Sequence, residues 1–207
     1  MQIRSRASDD TCMNEPATHP LQPVTETGQD QEHARELSRR NGIAKHGFRW
    51  ARLFGQGHPY DAISWERRDA RITRSDGTIV FEQKGVEVPS FWTQTATDIV
   101  ASKYFRGRLG TAEREWSIKQ MIDRIALTMG AWGFKDGYFA SPEDARNFVL
   151  DLTWILVNQY ASFNSPVWFN VGVHELPQCS ACFILSVEDT MQSIMEWYRD
   201  ESIIFKG

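Results

Sequence analysis

The stretch SPEDARNFVLDLTWILVNQY, residues 141–160, decides the fold class because a complete helix start precedes a helical repeat of apolar residues. Ser141 is a preferred cap, Pro142 suits the first helical position, and acidic residues follow in the first turn, where they complement the helix dipole. Apolar side chains then recur every three or four positions, at Phe148, Val149, Leu152, Ile155 and Leu156. The pattern predicts an amphipathic helix that packs on a core.

Two further helices are predicted on the amino-terminal side of this stretch. The first has a cap at Thr111, runs to about Met129 and ends at Gly130 and Gly133, since glycine commonly follows the last helical turn. The second begins at a cap formed by Thr95. A mainly helical protein is therefore expected.

A β-hairpin is predicted further upstream, over RITRSDGTIVFE, residues 71–82, with Asp76-Gly77 as its turn. Downstream of the helical region, PVWF at residues 166–169 reads as the entry to a buried strand, and Asp189 as the cap of a last helix. Together these elements predict an α+β fold.

The composition is that of a soluble globular protein with one or two domains: 207 residues, 41% apolar, 24% charged and a net charge of −4. No basic field favours nucleic acid, and no apolar run favours a membrane span or a secretory signal. Three cysteines do not fit a disulfide-stapled secreted domain, so a cytoplasmic location is expected. Residues 1–41 are polar and aperiodic, which predicts a disordered leader.

Cys179 and Cys182 have the CxxC spacing of redox dithiols and of half a zinc site. Zinc needs four ligands, and His174 is the one histidine nearby. A thioredoxin-like reading lacks its βαβ context. Local spacing alone leaves open whether this is a redox pair or two ordinary thiols near a strand. Ser165-Pro166 is equally open, either as a turn or as a hydroxyl with exposed amides that binds a phosphate or sugar.

Several stretches, in unbroken order over about residues 55–207, resemble the adenosylcobalamin-dependent (class II) ribonucleotide reductases. The most specific are FNSPVWFNVG at residues 163–172 and SACFI at residues 180–184. Shorter matches occur before and after them, as FEQKGVEVP (81–89), KYFRG (103–107), REWS (114–117), GYFA (137–140) and FKG (205–207). The resemblance implies a mainly helical amino-terminal domain over residues 42–162. Residues 163–207 would then begin a ten-stranded α/β barrel that is incomplete here.

The resemblance also implies roles for individual residues. Cys182 matches the first member of the cysteine pair that reduces the ribose 2′-hydroxyl and becomes a disulfide. Ser165, Ala181 and Cys182 match substrate contacts. Asp189, Thr190 and Met191 match the start of the effector site, although Asp189 is equally well explained as a helix cap. Cys179 departs from the family pattern, which has an apolar or small residue there.

The implied activity is reduction of ribonucleotides, as diphosphates, to 2′-deoxyribonucleotides for DNA synthesis through a cobalamin-initiated thiyl radical. Its partners would be the ribonucleotide, a deoxynucleotide effector, an external dithiol reductant and the remaining reductase polypeptide, with no nucleic acid or membrane. In the family the radical cysteine, the second reducing cysteine and most of the adenosylcobalamin site lie beyond the position of Gly207. We therefore expect a fragment that is inactive alone and binds no metal itself. An assembly module paired with a separately encoded remainder and a gene remnant are the alternatives.

Overall fold

The computed structural model describes residues 47–206, which form an α+β fold with one two-stranded sheet. The predicted leader at residues 1–41 lies outside the described residues. A 3-10 helix, Pro59–Ala62, precedes strands β1 (Trp65–Thr73) and β2 (Ile79–Pro89). The α-helices follow in chain order, as α1 (Gln94–Lys103), α2 (Ile118–Lys135), α3 (Pro142–Val157), α4 (Ser165–Asn170) and α5 (Met191–Lys206). The predicted α+β class is thus confirmed, whereas the barrel stays a prediction.

Strands β1 and β2 form the predicted hairpin, longer than the sequence pattern indicated. The Asp76 carboxylate accepts a hydrogen bond from the Thr78 amide at 2.8 Å, and Gly77 has a φ of 87°, which suits glycine. The strands pair antiparallel from Trp65 opposite Pro89 to Thr73 opposite Ile79.

One core joins the hairpin to helices α1 to α4. The inner face of the sheet contributes Ala70, Val86 and Val88, which are fully buried. They belong to one buried cluster with residues of the helices, Ala101, Ile118, Met121, Ile122, Ile125, Leu156, Val157, Val167, Trp168 and Val171. Because the last three come after residue 162, the chain beyond the predicted domain boundary still packs on the same core. The division into domains itself stays a prediction.

Helix α3 begins where the sequence predicted, and it holds the segment before the hairpin through one carboxylate. Asp151 is fully buried on α3. Its two oxygens accept hydrogen bonds from the Trp50 indole, the Arg52 guanidinium and the amides of Leu53 and Phe54, at 2.9–3.2 Å. Burial alone would raise the pKa of this carboxyl, but the donors outweigh it and the pKa lies below the ordinary value.

Two predicted helix caps and one predicted strand were wrong. Ser117, not Thr111, caps α2, since its hydroxyl accepts from the Lys119 amide at 3.1 Å. Likewise Thr93, not Thr95, caps α1. The strand predicted at residues 166–169 is instead the short helix α4, because the Asn164 side chain caps it and Pro166 lies in its first turn.

The glycines that were predicted to end α2 lie inside it. A Cβ atom at Gly130 would lie 2.3 Å from the Val149 side chain of α3, and one at Gly133 would lie 2.5 Å from the Phe139 ring. Glycine is therefore present because α3 and the Phe139 ring approach α2 closely, and the helix continues past both residues.

Asp151→Asn should lower the free energy of unfolding by about 2–4 kcal/mol, because it removes the charge that pairs with Arg52 and leaves buried donors unsatisfied. The wild-type carboxyl has a depressed pKa, so its contribution is complete above the unfolded-state value of 3.8 and is lost as the pH falls through the lower folded-state value. Urea unfolding of both proteins over that acid range measures this. The difference should shrink as the pH falls, while the control Asp61→Asn, at an exposed carboxylate, should change stability by less than about 0.5 kcal/mol.

Ser141→Ala should cost about 1 kcal/mol, because the Ser141 hydroxyl accepts the Asp144 amide hydrogen at 3.2 Å at the start of α3. Urea midpoints with unchanged slope measure the loss. Ser102→Ala is the control, since the Ser102 hydroxyl bonds to the Ile99 carbonyl within α1 and caps nothing. Equal midpoints for wild type and Ser141→Ala would contradict the assignment of the cap.

Candidate functional site

The residues that sequence analysis assigned to a site lie in two regions. Ser165 is the first residue of α4 and is half-buried against the core. Ala181, Cys182, Asp189 and Thr190 lie in the irregular segment of residues 178–190 between α4 and α5, which we call the cysteine segment. Its residues from Ser180 to Thr190 are exposed except Leu185.

The Ser165 hydroxyl is held by a tyrosine that sequence analysis quoted only as part of a motif. Its Oγ lies 3.1 Å from the phenolic oxygen of Tyr104, at the end of α1. The Tyr104 ring stacks on Phe169 of α4 with centroids 5.2 Å apart. Two hydroxyls in contact share one hydrogen, so each keeps capacity for another partner. The Ser165 hydroxyl is thus oriented and still able to bind a polar ligand.

The amides at the start of α4 are partly used within the protein. The Val167 amide donates to the Asn164 side chain at 3.3 Å. Sequence analysis offered the Ser165 hydroxyl and the nearby backbone amides as groups that bind a phosphate or sugar. Of these, the hydroxyl keeps capacity for a ligand.

A buried ionic cluster fixes α4 against α2. Glu115 accepts hydrogen bonds from the Arg106 amide and from the Arg124 guanidinium, each at 2.7 Å. Arg124 also donates to the Val171 carbonyl at 2.7 Å, and Arg106 donates to the Phe169 carbonyl. Burial lowers the pKa of Arg106, as does the nearby charge of Arg124, and Glu115 offsets part of this. The cluster therefore fixes the chain on the carboxyl side of Ser165.

The Arg106 Nε atom is a buried side-chain nitrogen without a hydrogen-bond partner among the described residues. Sequence analysis missed the cluster, because Arg106, Glu115 and Arg124 are separated along the chain and the spacing of charges does not show burial.

Among the described residues, the Ser165 hydroxyl makes no direct hydrogen bond to the cysteine segment. The two regions are linked by the Asn170 side chain, which donates to the Gln178 carbonyl at 2.7 Å. Ala181 lines a shallow cleft between the cysteine segment and α5, with Phe183 and Leu185 on one side and Trp197 and Ile204 on the other. The predicted site is thus two separate half-sites in this structure.

The predicted effector residues lie at the start of α5. Thr190, not Asp189, has the position of the cap, because its hydroxyl accepts from the Ser193 amide at 3.2 Å. Asp189 as the cap was therefore wrong, and its carboxylate is exposed. Met191 is 72% exposed, and no residue of α5 is buried.

The two thiols differ in their surroundings. Cys179 is half-buried, packs on the edge of the core, and its thiol lies 3.5 Å from the Pro177 carbonyl oxygen. Cys182 is exposed, and both cysteines are free. Within residues 47–206 no cluster of three or more histidine, cysteine or acidic side chains could hold a metal, and no helix there is long and apolar enough to span a membrane.

The sequence of the hairpin and the first three α-helices matches a known family. The model of the class II vitamin B12-dependent ribonucleotide reductases matches residues 66–159. This region belongs to that family. The match confirms the resemblance seen in the sequence motifs, and it ends before Ser165 and the cysteine segment.

Curated relatives of the chain carry the name vitamin B12-dependent ribonucleotide reductase, and three of them show the extent of the match. The protein from Streptomyces coelicolor is 56% identical over 151 residues, which is 72% of this chain and 16% of the relative. That from Streptomyces avermitilis is 51% identical over 173 residues, 82% of this chain and 18% of the relative. That from Rhodopirellula baltica is 39% identical over 214 residues, which covers 86% of this chain and 21% of the relative. The chain thus spans about a fifth or less of the length of these relatives.

A double-mutant cycle should detect the Tyr104–Ser165 hydrogen bond. Tyr104→Phe and Ser165→Ala should each destabilise the chain by about 1 kcal/mol, and the double variant should lose less than their sum. Urea unfolding of the four proteins measures the coupling. As a control, the effects of Tyr104→Phe and Ser141→Ala should be additive, because the Ser141 hydroxyl bonds to Asp144 and not to Tyr104. Additive effects of Tyr104→Phe and Ser165→Ala would show that no hydrogen bond forms between them.

Proposed function

We propose that the chain forms the amino-terminal part of an adenosylcobalamin-dependent reductase that converts ribonucleoside diphosphates to 2′-deoxyribonucleotides in the cytoplasm, for DNA synthesis. The observation that carries the proposal is the 56% identity over 151 residues to a named vitamin B12-dependent reductase. Because those residues are 16% of that relative, the proposal assigns this chain a part of the reaction rather than the whole.

The proposal gives the Ser165 hydroxyl a contact with the ribonucleotide. Tyr104 fixes the position of this hydroxyl, and the ionic cluster of Arg106, Glu115 and Arg124 fixes the backbone of α4 that carries it. A hydroxyl that is oriented before the ligand arrives loses less freedom on binding. The sugar or phosphate oxygen of a nucleotide is a suitable partner, since hydroxyls both donate and accept.

Cys182 is proposed as a reducing thiol, with Ala181 beside it against the substrate. Reduction of the 2′-hydroxyl consumes two electrons, which two thiols supply when they become a disulfide. Cys182 is exposed, so the rest of a reductase and its substrate have access to it. In the proposal its catalytic partner is a cysteine of the remaining polypeptide, and an external dithiol restores both thiols.

Asp189, Thr190 and Met191 are proposed as the start of the effector site for a deoxynucleotide. Thr190 has a structural role as the cap of α5, which leaves the exposed Asp189 and Met191 for contact with the effector.

The described residues do not fit a cobalamin by themselves. A corrin needs a large enclosed pocket, whereas the clefts that the site residues line are open and shallow. The two histidines in residues 47–206 do not converge, since His58 accepts from the Tyr60 amide and His174 lies beyond α4. Cobalamin binding therefore falls to the rest of the proposed reductase.

An assembly module that pairs with a separately encoded remainder is a second candidate, and the surface of α5 favours it. Met191, Met195 and Tyr198 follow at helical spacing, and each is more than half exposed. Exposed apolar faces of this kind usually contact another protein surface. A fused and a separate remainder differ only in whether a peptide bond joins the two parts.

Cys182→Ser should abolish multiple turnover in a chimera that joins residues 47–206 to the carboxy-terminal remainder of the Streptomyces coelicolor relative. Serine keeps the size of the side chain but forms no disulfide, so the two electrons have no source. Deoxynucleotide formation with adenosylcobalamin and dithiothreitol measures this. The 207-residue chain alone should form none.

Cys179→Ser is the matched control in the same chimera and should leave turnover nearly unchanged. Loss of turnover in Cys179→Ser with retention in Cys182→Ser would assign the reducing role to Cys179 instead. An inactive chimera that folds and contains all wild-type cysteines would count against the proposed function as a whole.

A further inference from the structure

We propose that Cys179 and Cys182 close a reversible disulfide with each other, which makes the cysteine segment a redox site that masks the Cys182 thiol. The effect on nucleotide reduction rests on the proposed function, whereas formation of the bond requires this chain alone.

The spacing and the local backbone favour closure. The residues between the two cysteines, Ser180 and Ala181, are small and lack branching at Cβ. The cysteine segment contains neither helix nor strand, and from Ala181 to Val187 the described chain makes no intramolecular hydrogen bond. Cys182 can therefore approach Cys179 without breaking any ladder or helical turn.

The same bond is incompatible with an extended strand. In a strand, residues three apart point to opposite faces and their Cα atoms lie about 10 Å apart. A disulfide requires Cα atoms within about 7 Å. The disulfide and an extended strand at residues 179–182 thus exclude each other, so oxidation would hold the segment in an irregular conformation.

The unequal exposure of the thiols sets the order of events. Cys179 is anchored on the edge of the core, while Cys182 is open to solvent. A low-molecular-weight disulfide such as oxidised glutathione therefore reacts first at Cys182. The Cys182 thiolate attacks one sulfur, forms a mixed disulfide and releases one glutathione.

The second step is intramolecular. The Cys179 thiolate attacks the Cys182 sulfur, forms the Cys179–Cys182 bond and releases the second glutathione. In total the two protein thiols lose two electrons and two protons, and the oxidised glutathione gains both. A dithiol reverses the reaction through the same exposed sulfur, so oxidation of Cys182 ends in a reversible bond within the chain rather than in a glutathione adduct.

The test uses the full chain with Cys12→Ser, which leaves a single cysteine pair. The protein is equilibrated with reduced and oxidised glutathione in varied ratio, the free thiols are alkylated, and the peptides are mapped by mass. We expect loss of both titratable thiols, one peptide linkage between Cys179 and Cys182, no dependence on protein concentration, and full reversal by dithiothreitol.

Cys179→Ser is the matched variant and should stop at the glutathione adduct of Cys182. A wild-type pair that stops at the same adduct, or that forms only dimers between chains, would overturn the proposal. The chimera separates this result from the proposed function. A linkage in the isolated chain together with an active Cys182→Ser chimera would uphold the redox site and remove the catalytic role of Cys182.

Discussion

The arrangement of the candidate site depends on the hydrogen bonds and the ion pair that the buried carboxylate of Glu115 makes. It accepts from the Arg106 amide and the Arg124 guanidinium, and its backbone carbonyl accepts from the Gln83 side chain of β2 at 2.8 Å. A carboxylate in such a place is stable only with its partners, because an unpaired buried charge costs several kcal/mol. The hairpin, helix α2 and helix α4 are thus fixed together around one residue, Glu115.

This dependence explains why Ser165 is oriented and Cys182 is not. The cluster reaches α4 through the Phe169 and Val171 carbonyls, and it extends to the cysteine segment only through the Asn170–Gln178 hydrogen bond. Beyond Gln178 the chain has few partners, and Ile184 is 99% exposed. An apolar side chain in water gains no stabilisation from burial, so the cysteine segment is held less firmly than α4.

The sequence predicted the elements whose signals are local. Ser141 and the Asp76-Gly77 turn were found because each acts on amides within a few residues. Gly130 was misread, because its reason is the approach of Val149 from another helix, which no local pattern records. The strand at residues 166–169 was misread for a related cause: an apolar triplet after proline fits a buried strand and a buried helical turn equally.

The site divides in the same way. Motif resemblance proposed Ser165 and Cys182 as site residues, but it did not show what orients Ser165, since Tyr104 and Glu115 act through contacts between distant parts of the chain. The resemblance says nothing about the role of Cys179, because this residue departs from the family pattern. Its role is inferred from its chemistry: a half-buried thiol lies three residues from an exposed one, on a backbone with no regular structure. An ordinary apolar residue there would leave Cys182 as a mixed disulfide with a small thiol after such an encounter, whereas a second thiol displaces the small thiol and closes a bond within the chain.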